Sequence, residues 1–163
     1  MPHVDRLFRL AMWMERDRQE AEDLVQETLL QALRSFGRFS AGTNCRAWLV
    51  TILQHVRSNK RRAKFRRDAF ERPDDRAAET VAFVPPVPTQ LTDEEMLAAL
   101  RGIPEAYQDI ILLSDVEELS YKEIADALAI PMGTVMSRLH RGRALLRKAL
   151  VAGGIAGDRA QGA

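Results

Sequence analysis

Five cations, Arg138, Arg141, Arg143, Arg147 and Lys148, crowd residues 138–148, and no acid falls between Asp126 and Asp158. Guanidinium and ammonium groups gathered without counter-charge suit the binding of phosphate oxygens. A second such run occupies residues 57–67, with seven Lys or Arg among eleven residues and again no acid. Catalytic patterns are missing from the sequence. His3, His55 and His140 stand far apart, and no serine or cysteine comes with a base motif. The lone Cys45 has no partner for an internal disulfide, and no His/Cys cluster has metal spacing. The expectation is therefore a binding protein with no catalytic residue, no metal and no cofactor.

The elements that must carry these cations are helical. Ser120 and Glu123 form a capping box, and Ile124, Ala125 and Leu128 give the helix that follows an apolar face. Pro131 suits the first position of a second helix, whose buried stripe is Val135, Leu139 and Leu146. The pair reads as a helix-turn-helix, with the cations mostly off the buried stripe. Upstream, Thr92 and Glu95 form another capping box before Met96, Leu97, Leu100 and Ile103, and Pro104 begins a helix with Tyr107, Ile110, Ile111 and Leu113.

The amino-terminal part predicts three helices. Leu7, Leu10, Ala11 and Met14 mark the first. Asp17 and Glu20 cap a second, with Ala21, Leu24, Val25, Thr28, Leu29, Ala32, Leu33 and Phe36 as its stripe. A third runs from about Asn44 through Trp48, Leu49, Ile52, Leu53 and Val56 into the basic run. No β pattern appears.

The net charge of +1 conceals an uneven distribution. Residues 1–70 hold 14 Lys/Arg against 8 Asp/Glu, residues 71–95 hold 2 against 7, and residues 96–163 hold 8 against 8. Residues 71–91 also contain Pro73, Pro85, Pro86 and Pro88, the composition of an extended linker. The expected fold is all-α, with two small helical bundles joined by that linker: domains at 1–70 and 92–150, the helix-turn-helix in the second, and a disordered tail at 151–163. The acidic linker is expected to fold back on the basic modules and weaken DNA binding. No apolar run approaches the ~20 residues of a membrane span, and no signal peptide is evident, so a cytoplasmic protein without membrane insertion is expected.

The order of parts is AEDLVQETLLQAL at 21–33, FGRFSAGTNCRAWLVTIL at 36–53, the acidic linker, and LSYKEIADALAIPMGTVMSRLHRGRALLRKAL at 119–150. It resembles the extracytoplasmic-function group of bacterial RNA polymerase sigma factors, over roughly residues 5–150. The resemblance implies core RNA polymerase, promoter DNA and an anti-sigma factor as partners. It implies a polymerase-binding face on the second helix at Asp23, Gln26, Glu27, Leu30, Gln31 and Arg34, opposite the apolar stripe. For the −10 element it implies the loop at 40–46, which captures a flipped base.

The residues expected at the −10 element are Phe39, Ser40, Thr43, Asn44 and Arg46, with Arg57, Lys60, Arg61 and Arg62 on the DNA backbone. Phe36 and Trp48 are expected in the core. At the −35 element, the residues pointing away from Val135 and Leu139 are Thr134, Met136, Ser137, Arg138, His140 and Arg141, with Arg143 beyond them. Two positions depart from the family pattern. His55 stands where asparagine is usual, and Met136 replaces a basic side chain with one that offers apolar contact alone. The alternative reading is a free-standing regulator that binds operator DNA through the helix-turn-helix without polymerase.

Overall fold

The computed structural model describes residues 2–40, 42, 44–67 and 92–161, and the regular elements among these residues are all helical. The expected linker at 71–91 and Thr43 lie outside the described residues. The chain divides into two compact units.

The first unit holds α1 (Pro2–Glu15), α2 (Arg18–Ser35) and α3 (Cys45–Arg67). Leu7, Leu10, Ala11 and Met14, in the i, i+3, i+4, i+7 pattern of one helix face, are the buried residues of α1. The helix ends where Arg16 takes a left-handed conformation (φ 61°). Asp17 then caps α2, its carboxylate accepting the Glu20 N–H at 3.0 Å. Ala21, Leu24, Val25, Thr28 and Ala32 face inward, and the buried Thr28 hydroxyl donates to the Leu24 carbonyl at 2.7 Å. From α3 come Ala47, Leu49, Val50, Leu53 and Val56. Leu24 and Leu53 are fully enclosed, and each such side chain contributes roughly 2 kcal/mol.

The apolar stripe of α2 does not stay buried to its end. Leu33 is 75% exposed and Phe36, just past the helix, is 64% exposed.

The second unit holds α4 (Asp93–Gly102), α5 (Glu105–Ile111), the start of α6 (Tyr121–Leu128) as far as Ile124, and α7 (Met132–Gln161). Both expected capping boxes are present. The Thr92 hydroxyl accepts the Glu95 N–H at 3.3 Å, and Glu95 accepts the Thr92 N–H at 2.8 Å. Ser120 and Glu123 repeat the exchange at 3.1 and 3.2 Å. The hydrogen bond from the Thr92 backbone holds the exposed Glu95 carboxyl below its ordinary range. Buried Gln108 donates to the Ile103 and Arg101 carbonyls at 2.7 and 3.3 Å, tying α5 to the end of α4.

After α5 the chain widens into a π-type turn at Leu112–Val116, closed by the Glu117 N–H on the Leu112 carbonyl at 2.9 Å. The α6–α7 turn passes through Ala129 at φ 54°. Pro131 stands one position earlier than expected, as the cap of α7, its carbonyl accepting the Val135 N–H at 3.1 Å.

Val135, Leu139 and Leu150 anchor α7, while Leu146 is half-buried. Gly142 lets α5 approach closely: a side chain there would place its Cβ 3.2 Å from Ile111 Cδ1 and 3.3 Å from Tyr107 Cβ. The tail expected to be disordered over 151–163 differs from the structure, which continues α7 to Gln161. An already formed helix needs only propagation, and alanines such as Ala149 and Ala152 favour it enough to carry Gly153.

Candidate nucleic-acid and partner interfaces

Three surfaces carry the candidate residues. On α2, helical spacing places Asp23, Gln26, Leu30 and Arg34 along one exposed face, with Glu27 and Gln31 half-buried at its side. Hydrogen bonds between side chains one turn apart run along it, from Gln19 to Asp23 at 3.4 Å and from Gln31 to Glu27 at 3.3 Å. All six expected positions thus share one side of the helix. Sequence reasoning missed the apolar extension of this surface, because Leu33 and Phe36 fit the core periodicity. Their exposure becomes visible in the structure alone.

The second surface begins at the end of α2. Phe36 and Phe39 stack at a centroid distance of 6.1 Å, and Trp48 meets Phe39 at 4.9 Å and Phe36 at 6.5 Å. Phe36 and Trp48, expected in the core, are instead exposed and half-buried, and they join half-buried Phe39 in a ring cluster beside the loop. In that loop Ser40 is exposed and Gly42 adopts φ 100°, a conformation that glycine takes without strain. Asn44 works as a cap as well as a loop residue: its side-chain oxygen accepts the Arg46 N–H at 3.1 Å and the Ala47 N–H at 3.4 Å, opening α3. Arg46 is half-buried against the same turn.

From Thr28 to Arg67 the sequence contains no Asp or Glu. Along the far part of α3 the described side chains from Ser58 to Arg66 are all exposed, so Lys60, Arg61 and Arg62 stand clear of the bundle. Arg57 does not belong with them. Its side chain is 4% exposed, its Nε donates to Glu15 Oε1 at 2.9 Å, and its Nη2 donates to the Met14 carbonyl at 3.3 Å. The expected phosphate contact is therefore a structural ion pair that also satisfies a carbonyl at the end of α1. Helical phase explains the change. Arg57 adjoins Val56 and lies one turn after Leu53 and Gln54, all buried, so it still faces inward.

The third surface is α7. With Val135 and Leu139 buried, Met136, Ser137, His140 and Arg141 are exposed, and Thr134 and Arg138 are half-buried on the flank. The Ser137 hydroxyl donates to the Thr134 carbonyl at 3.3 Å. Arg143 departs from its expected role. It is bound to Asp115 through two hydrogen bonds, Nη2 to Oδ1 at 2.7 Å and Nε to Oδ2 at 3.4 Å. That pairing raises its already high pKa further. With its charge answered by Asp115, Arg143 braces α7 against the turn after α5, and Arg138, His140 and Arg141 form the outward set.

The chain matches two family models, Sigma-70 region 2 over residues 1–67 and Sigma-70, region 4 over residues 93–146. It is 36% identical over 150 residues to the ECF RNA polymerase sigma factor EcfG of Rhodopseudomonas palustris, covering 91% of this chain and 80% of that protein. It is also 36% identical, over 152 residues, to the ECF RNA polymerase sigma factor SigE of Mycolicibacterium smegmatis. That match covers 89% of this chain and 57% of SigE, so the chain spans little more than half of that relative. Among solved structures, the sigma factor RpoE from Bartonella quintana, in complex with the anti-sigma factor NepR, matches with a TM-score of 0.69 at 28% identity over 91% of each chain. No helix among the described residues is long and apolar enough to cross a membrane.

Proposed function

We propose that this chain, which belongs to the extracytoplasmic-function RNA polymerase sigma factors of the sigma-70 family, binds core RNA polymerase and directs it to promoters bearing specific −35 and −10 elements. The observation that carries this reading is the presence, in one chain and in order, of both regions, each with an exposed polar helix face. The synthetic chemistry belongs to the polymerase. This chain is a non-enzymatic specificity subunit that works in the cytoplasm.

The roles divide by surface. Residues 1–70 form the polymerase- and −10-binding domain, and residues 92–150 form the −35-binding domain. The α2 face, with Asp23, Gln26, Glu27, Leu30, Gln31 and Arg34, docks on the polymerase. Ser40, Thr43, Asn44 and Arg46 surround a base extruded from the −10 strand, and Phe39, backed by Phe36 and Trp48, stacks on its unpaired neighbours. Extrusion costs a few kcal/mol, which stacking of about 1–3 kcal/mol per base offsets. Lys60, Arg61 and Arg62 hold the backbone by charge, a contribution that positions DNA without selecting sequence. Thr134, Met136, Ser137, Arg138, His140 and Arg141 enter the major groove at −35.

An anti-sigma factor is the expected inhibitor, since the similar RpoE chain is held by NepR, and the surfaces it must cover are those just named. The test is binding to purified core polymerase, measured by co-elution. The proposal expects a stoichiometric complex that is weakened at least tenfold when Asp23, Gln26 and Leu30 are all replaced by alanine. No complex with the unmodified chain would refute it.

A further inference from the structure

The amino-terminal turn of α7 is unusual in what it leaves in water. Met132 and Met136 are 44% and 49% exposed. One turn apart, they share an edge of the helix within about 40° of each other. Val135 and Leu139 are buried, and at the start of the helix the two methionines, along the margin of that stripe, remain in water. Gly133 lies between them, exposed, and a Cβ there would meet nothing within 4 Å. Packing within the chain does not require that glycine, and a helix favours alanine over it. A missing side chain on an exposed helix end instead admits the close approach of another molecule.

A methionine thioether has no hydrogen to donate, so it cannot read the acceptor pair that guanine shows in the major groove. The apolar group that the groove does display is the C5-methyl of thymine. Resting on the reading of α7 as the helix that enters the groove at −35, we infer that Met132 and Met136 select thymine there by contact with its methyl groups. Gly133 lets the helix end come near enough for this contact. Arg138 and Arg141 supply hydrogen bonds and charge beside it. Met132 thereby joins the specificity-determining residues, and the turn reads shape at the positions where a basic side chain would read guanine.

The test uses the holoenzyme on a promoter it transcribes. Each thymine of the −35 element is replaced singly by deoxyuridine, which removes one methyl and leaves every hydrogen-bonding group in place. For at least one thymine, promoter affinity falls about fourfold, the worth of one buried methyl group. The loss shrinks below twofold in Met132→Ala or Met136→Ala, because the methyl has no partner left. Gly133→Ala raises the melting temperature of the free chain and weakens promoter binding severalfold. Three results overturn the inference: deoxyuridine tolerated at every position, a penalty unchanged in both methionine variants, or a −35 element with no thymine at functional positions. A scrambled −35 element separates the two readings. If scrambling leaves binding intact, the −35 role of α7 fails and this inference with it; if scrambling abolishes binding while deoxyuridine does nothing, only the methyl readout fails.

Discussion

Replacing Arg57 by methionine separates a structural cation from the exposed ones around it. The Arg57 side chain is 4% exposed and that of Glu15 22% exposed, with 2.9 Å between the paired atoms. Removing one partner of a fully buried pair costs about 3–5 kcal/mol. Because Glu15 retains some water, a value at or just below the lower end of that range applies, about 2–3 kcal/mol for Arg57→Met. For a unit of this size each kcal/mol moves the melting temperature by about 4–8 °C, so the first unit should melt at least 8 °C lower. The double variant Glu15→Met, Arg57→Met should recover most of that loss, since an apolar pair of similar volume is often neutral. Lys60→Ala and Arg62→Ala, both beyond the bundle, should change stability by less than about 0.5 kcal/mol. In holoenzyme they should reduce the slope of log affinity against log salt by about 0.9 for each phosphate no longer neutralised. Circular dichroism melts and fluorescence anisotropy on a labelled promoter measure the two effects. An Arg57→Met chain with wild-type melting and a salt slope lowered by about one would refute the assignment.

Three further outcomes follow from residues 92–150. Gly142→Leu should destabilise by about 1–3 kcal/mol in a denaturant titration, because its Cβ would already crowd Ile111 and Tyr107; a neutral result would contradict the close α5–α7 packing. Ala129→Gly should stabilise the chain by about 0.5–1 kcal/mol, since glycine relieves the left-handed strain at φ 54° and loses part of that gain to entropy; a lower melting temperature would count against this geometry. Glu95 has a folded pKa below its unfolded value, so its contribution is complete above the unfolded pKa and is lost as pH falls through the folded one. Glu95→Gln keeps the capping geometry without the charge, and should flatten stability against pH on the acid side; an unchanged acid limb would refute the role.

The all-α class and the caps were legible because they depend on local rules. Asp17 with Glu20, Thr92 with Glu95, and Ser120 with Glu123 each stand three residues apart, and each forms the predicted bond. What sequence could not reveal depends on which neighbours each helix face meets. Leu33 and Phe36 keep the core phase of α2, yet they lie exposed. Arg57 looks like its basic neighbours, and only its phase relative to Leu53 and the position of Glu15 turn it inward. Arg143 is taken out of the cationic surface by Asp115, 28 residues away in sequence, through a turn that periodicity did not predict. The exposure of Met132 was hidden because a methionine at the start of a helix fits a buried position as well as an open one.

Run-off transcription with purified core polymerase tests the central claim most directly. Adding this chain should produce a transcript from a fixed start on its promoter, and scrambling either the −10 or the −35 element should abolish it. A chain that yields no transcript, yet footprints a palindromic site without polymerase, would contradict the account.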